Sequence, residues 1–144
     1  MSNPINTDID PEGILWFKSY LEKNRFTDIY IPTNPYSPYD IEADKDGKHY
    51  LFELKNRNRY KITNSYDYGD TIIDQSKYII LSTYKDQVYV VNLFNDCMCI
   101  HKLDSEHEIQ HQPYCKANMN WDRRIISKNL ISYRNKPNNC YKYD

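Results

Sequence analysis

The dipeptide Asp46-Gly47 constrains this chain more than any other feature, because it separates two stretches in which apolar and polar residues alternate. A type I′ turn needs positive φ at both central residues, which Asp and Gly tolerate, so the pair predicts a two-residue β-hairpin. Lys45 then faces Lys48, and counting outward sets Asp44 opposite His49, Ala43 opposite Tyr50, Glu42 opposite Leu51, Ile41 opposite Phe52 and Asp40 opposite Glu53. Side chains alternate along a strand, so Ile41, Ala43, Phe52 and Leu54 point into a core while Asp40, Glu53 and Lys55 share the other face.

Directly opposed residues have Cβ atoms about 4.5–5.5 Å apart, and like charges at that spacing are destabilising unless something compensates them. A divalent cation between Asp40 and Glu53 would do so. A slip of one residue in the turn would send the two acids to opposite faces, so the reading depends on this register.

At 144 residues the chain suits a single domain. Its 19 Lys+Arg nearly balance its 20 Asp+Glu, so attraction to a nucleic acid has to come from a local patch and not from net charge. The polar start lacks the basic-then-apolar pattern of a signal segment, and no apolar run nears the ~18 residues of a membrane span. These features point to a cytoplasmic protein with no membrane partner, in which Cys97, Cys99, Cys115 and Cys140 read as reduced thiols. Biased codon usage accounts for the 15 tyrosines at least as well as a binding surface does.

Along the chain, Asp8 or Asp10 caps a helix that runs to about Lys23, with Pro11 in its first turn and Ile14, Leu15, Phe17 and Leu21 as its apolar stripe. Glu12, near its start, either complements the positive helix end or brings a further acid to the site. Residues 27–31 read as a short strand, halted by a loop containing Pro32, Pro35 and Pro38. Residues 70 to about 85 read as a helix capped by Asp70, with Ile72, Ile73, Ile79 and Ile80 at approximate helical spacing, although 78–81 alone also pass as a strand. Residues 87–94 and 97–103 read as strands of one hairpin that extends the same sheet, and 104–120 as polar loop. In the last segment Ile125, Ile126, Leu130 and Tyr133 fit a helix capped by Asp122, while 130–133 alone fit a strand. Residues 1–9 and 137–144 are expected to be flexible ends.

Cations collect in two places. Arg57, Arg59 and Lys61 follow the hairpin among Asn56, Asn58 and Tyr60, donor types that contact phosphates. Arg123 and Arg124, with Lys128, Arg134 and Lys136, form a second basic region, and Lys77, between the two in sequence, is a further candidate to reach a phosphate, with plain surface as its alternative. The Cys97, Cys99, His101, His107, His111 and Cys115 series matches no common zinc knuckle, so no zinc is expected.

Asp40 followed by Glu53-Leu54-Lys55, behind an acid-bearing helix and a short strand, resembles the PD-(D/E)XK nuclease superfamily over roughly residues 10–85. The approach Ser37-Pro38-Tyr39-Asp40 departs from the family's Pro-Asp pair by one inserted tyrosine. In size and element order the chain is similar to small Holliday-junction resolvases and phage-type nucleases. The resemblance implies an α/β (α+β) fold of the restriction-endonuclease type, a central mixed β-sheet flanked by helices. It also implies Mg²⁺, replaceable by Mn²⁺, held by Asp40, Glu53 and the Leu54 carbonyl, with Lys55 catalytic and Glu12, or less favourably Glu22, near the metal. The implied substrate is DNA, branched or double-stranded, cut by a homodimer where both strands are cleaved. The competing expectation is a nuclease fold without activity, serving as a DNA-binding or protein-inhibitor module.

Overall fold

The computed structural model describes residues 11–57, 69–115 and 125–142. Asp8, Asp10 and the polar arm, Arg59 and Lys61, and Asp122, Arg123 and Arg124 lie outside the described residues.

The hairpin forms as the turn chemistry requires. Asp46 and Gly47 both take positive φ, 52° and 76°, between β2 (Ile41–Lys45) and β3 (Lys48–Arg57). The register runs from Lys45 against Lys48 to Ile41 against Phe52, as counted from the turn. Ahead of it stand α1 (Pro11–Lys23) and β1 (Thr27–Tyr30), the latter antiparallel to β2.

Around this hairpin grows a six-stranded mixed sheet in the order β1-β2-β3-β5-β6-β9, where β5 is Gln87–Phe94, β6 is Cys97–Lys102 and β9 is Cys140–Lys142. The β3–β5 pair is parallel, and its register sets Glu53 beside Val90 and Lys55 beside Asn92. Parallel neighbours require a crossover. Here the crossover includes β4 (Asp70–Asp74) and α2 (Gln75–Ser82). The β5–β6 hairpin extends the sheet as its sequence suggests.

The two faces of the sheet are covered differently. On one face Phe17 and Leu21 of α1 pack on Ile41, Ala43, Phe52, Leu54, Val91 and Met98. On the other, Leu51, Val88, Val90 and Leu103 pack against Leu81 of α2 and against Ile73, Ile131 and Tyr133 of a second sheet. That second sheet has the order β4-β8-β7, with β7 at Glu108–Cys115 and β8 at Ile125–Arg134.

The second sheet corrects several sequence expectations. Residues 70–74 are strand, not the first turns of a helix, because they pair with β8 from Asp70 opposite Arg134 to Asp74 opposite Leu130. Thr71 and Ile73 bury in the period of two that a strand imposes. The helix begins at Gln75, and Ile79 and Ile80, counted toward its apolar stripe, are 58% and 48% exposed while Leu81 is buried. The supposed loop at 104–120 contains β7, paired with β8 from Glu108 to Cys115. As an edge strand β7 needs little apolar side chain, which is why its composition resembles a loop. The open choice for the final segment falls to strand.

The C-terminal expectations change as well. Residues 137–139 form a 3-10 turn and Cys140–Lys142 pair with β6, so this stretch is bound to the sheet. Cys99 and Cys140, opposite each other in that pairing, form a disulfide and are not the reduced thiols expected. Forty-one residues separate them in sequence, and only the β6–β9 register brings them together. Cys97 is a free, buried thiol, and burial first, then Asp96, pushes it up to about 11.

Among the described residues, no helix is long and apolar enough to cross a membrane.

Candidate functional site

The site is built where β2 has just begun and β3 runs on past it. The proline-containing loop is held by short-range bonds: Tyr36 N–H donates to Asn34 Oδ1 (3.0 Å) and the Ser37 hydroxyl to the Tyr39 carbonyl (2.7 Å). It delivers Asp40, whose N–H donates to the Phe52 carbonyl at 2.9 Å. The Asp40 carboxylate then reaches across the strand end and accepts the Leu54 N–H at 2.7 Å through Oδ2. Residues of a strand turn N–H and carbonyl toward the same neighbour, so the Leu54 carbonyl also lies on this side, beyond the end of β2.

Glu53 shares the face of Leu51, opposite the floor formed by Phe52 and Leu54. Asp40 and Glu53 are 3% and 2% exposed, so two carboxyl groups that normally seek water are enclosed together. Burial first, and the Asp40 charge second, push the Glu53 carboxyl up to about 9, against a downward pull from Lys77. Such a shift measures how poorly an anion is tolerated there. A side-chain hydrogen bond with Asp40 adds to the same upward push on Glu53, and Asn92 Oδ1 is buried with no hydrogen-bond partner among the described residues.

Lys55 is half-buried on the same face as Glu53 by strand alternation, with Asn92 beside it on β5. Lys77 is turned inward: its ammonium lies 3.2 Å from Glu53 Oε2 and donates to the Pro38 carbonyl at 3.2 Å. The structure therefore brings together Asp40, Glu53, Leu54 and Lys77, with Lys55 on the same face of β3 as Glu53. Glu12 is exposed in the first turn of α1, which packs on the face of the sheet opposite to Glu53, and Glu22 is exposed on the same helix. Arg57 is the last residue of β3.

Two residues escaped the sequence reading of the site. Asn92 interrupts the apolar run Val90-Val91-Asn92-Leu93, and a buried polar residue inside such a run is the signal that could have found it. Lys77 was counted as a phosphate contact, and nothing local to a helix reveals that its side chain meets a strand residue 24 positions earlier.

The same hairpin face carries a second polar cluster farther from the strand end. His49 is held between Asp44 at Nδ1 and Glu42 at Nε2, the latter at 2.9 Å, and the Tyr39 hydroxyl donates to Glu42 at 3.0 Å. Hydrogen bonds to Asp44, then Glu42, raise the His49 pKa above its usual 6.5. The stabilisation from imidazolium is therefore fully present below pH 6.5 and is lost as pH rises through the raised value. Thermal melts should show His49→Gln least stable relative to wild type in acid, with the gap closing in alkali. A gap independent of pH would mean that the charge on His49 contributes nothing.

Three members of the Cys and His series weighed for zinc have other partners. His101 Nε2 bonds Asn135 Oδ1 (2.7 Å), His111 Nδ1 bonds Asn129 Oδ1 (2.7 Å), and Cys99 is in the disulfide. Among the described residues, no group of three or more His, Cys, Asp or Glu is arranged to hold a metal.

Comparison of the chain with protein-family models and with curated protein sequences finds no match.

Proposed function

We propose that the chain is a metal-dependent endonuclease of the PD-(D/E)XK type that hydrolyses phosphodiester bonds in DNA. The observation that carries this is the buried Asp40–Glu53 pair, with the Leu54 backbone clamped to Asp40 and the two carboxyl groups close enough for Asp40 to raise the Glu53 pKa. Supporting it is the order helix, strand, Asp40 directly ahead of the first hairpin strand, then the Glu53-Leu54-Lys55 strand in a mixed sheet.

The donor set fits Mg²⁺. This ion prefers carboxylate, carbonyl and water oxygens and keeps several waters, so two carboxylates and the Leu54 carbonyl suffice as anchors. Bound there, Mg²⁺ or Mn²⁺ would polarise a phosphate and lower the pKa of a water. The protein's own groups do the rest. Asp40, and Glu53 once a metal has displaced its proton, would provide the negative charge, the Leu54 N–H fixes the Asp40 carboxylate, and Lys55 orients the water and offsets the charge that builds on the phosphate. The basic run at Arg57, Arg59 and Lys61, continuing from β3, would track the DNA backbone, and Arg123 and Arg124 would add contacts.

One observation favours the second reading, a nuclease-fold module that binds DNA or protein without cutting: Lys77 already places a cation against Glu53. Cleavage assays on supercoiled plasmid, single strands and four-way junctions with Mg²⁺ or Mn²⁺ separate the two. Wild type should cut and Asp40→Ala and Lys55→Ala should not; a wild type that cuts nothing, or variants that cut equally well, would sink the nuclease reading.

A further inference from the structure

We propose that Lys77 is a built-in counter-ion of the Asp40–Glu53 pair and that a divalent cation enters the site by displacing its ammonium group. This rests on the reading of the pair as a metal site and adds how that site is guarded.

Lys77 is the third residue of α2, and the start of that helix is tied to the second sheet by Asn129 Nδ2 donating to Gln75 Oε1 at 3.0 Å. The tie fixes where the lysine stem begins. Its side chain is 16% exposed, and its ammonium contacts Glu53 Oε2 and the carbonyl of Pro38, two residues before Asp40. A lysine serving only as a phosphate contact would hold its charge in solvent; this one spends it on the interior. The arrangement answers an electrostatic need, because a buried carboxyl pair without a cation is costly.

The same placement makes ammonium and metal rivals. Both would use Glu53, and a divalent ion held within reach of Lys77 would meet a like charge in a poorly screened site. The four-carbon stem of lysine lets the ammonium swing out toward solvent without moving α2. Lys77 is a positioning residue in this scheme: it keeps the carboxyl groups in place before metal arrives.

The test uses the full chain. Calorimetric titration with Mn²⁺ should give a dissociation constant for Lys77→Gln tighter than wild type by at least about tenfold, since the competing charge is gone. Lys77→Arg, which keeps the charge, should bind no tighter than wild type. In melts without metal, Lys77→Gln should have the lower midpoint. A wild-type measurement guards against a variant that does not fold: modification of Lys77 by an amine-acylating reagent, followed by mass spectrometry, should speed up several-fold when Mn²⁺ saturates the protein. If wild type binds Mn²⁺ but Lys77→Gln binds it no more tightly, or if Lys77 acylation ignores Mn²⁺, the counter-ion exchange is overturned while the metal site stands. If wild type binds no Mn²⁺ at all, both fall.

Discussion

Glu53→Gln is expected to make the metal-free protein more stable and to remove cleavage, two effects of opposite sign from one oxygen. Burial and Asp40 raise the Glu53 carboxyl from 4.5 to about 9, so between these values the unfolded chain gives up a proton that the folded chain retains. The contribution of Glu53 to stability is therefore most favourable below pH 4.5 and declines as pH rises toward 9. Glutamine has no proton to lose and removes the decline. At pH 7 Glu53→Gln should therefore be the more stable protein, by less than relief of the buried charge alone would give, because the Lys77 partner is lost with it. Chemical denaturation from pH 5 to 9 should show the gain growing with pH. Cleavage should fall by at least about 10²-fold, the scale of losing one group that stabilises transition-state charge. On the proposed metal site, Mg²⁺ or Mn²⁺ should raise the melting temperature of wild type and not of Glu53→Gln, since only a ligand of the native state stabilises it. A destabilised Glu53→Gln would mean that the carboxyl is held as a well-compensated anion.

Phe17→Ala should cost about 3–5 kcal/mol, a large part of the roughly 5–15 kcal/mol that holds a typical domain together. Phe17 is fully buried and meets the Phe52 ring edge-on at a centroid distance of 5.0 Å. Phe52 and Leu54 are the floor behind Glu53, and Phe17 and Leu21 are the buried residues by which α1 covers that floor. Alanine would leave a cavity at the centre of this contact, and the cost depends on how far the helix can settle into it. A urea titration with an unchanged slope and a lowered midpoint would register the loss as one of stability. A change below about 1 kcal/mol would mean that α1 contributes little to the sheet it covers.

The hairpin was legible because everything it needs is local. Two turn residues choose the turn, the turn sets the register down to Ile41 and Phe52, and alternation assigns each side chain a face, so that Glu53 stands opposite the Phe52 and Leu54 floor. The segment at 70–82 was not legible for the opposite reason. Ile72, Ile73, Ile79 and Ile80 offer a spacing that a helix can use, but Asp70–Asp74 finds its partner at Leu130 to Arg134, some sixty residues on, and the pairing overrides the pattern. The β7 strand, rich in His, Gln and Glu, gives no apolar signal, since it lies at an edge.

By itself, then, the sequence determined the Asp46-Gly47 turn and the register from Lys45–Lys48 to Ile41–Phe52, because backbone φ at two residues and a period of two are properties of the chain within a few residues. The tertiary structure alone decided that the Asp40–Glu53 pair is buried, that Lys77 and not a more distant cation answers its charge, and that Cys99 meets Cys140. Each of these depends on elements far apart in sequence settling on the same sheet, where burial raises the energy of a charge and only the packed neighbours determine what compensates it.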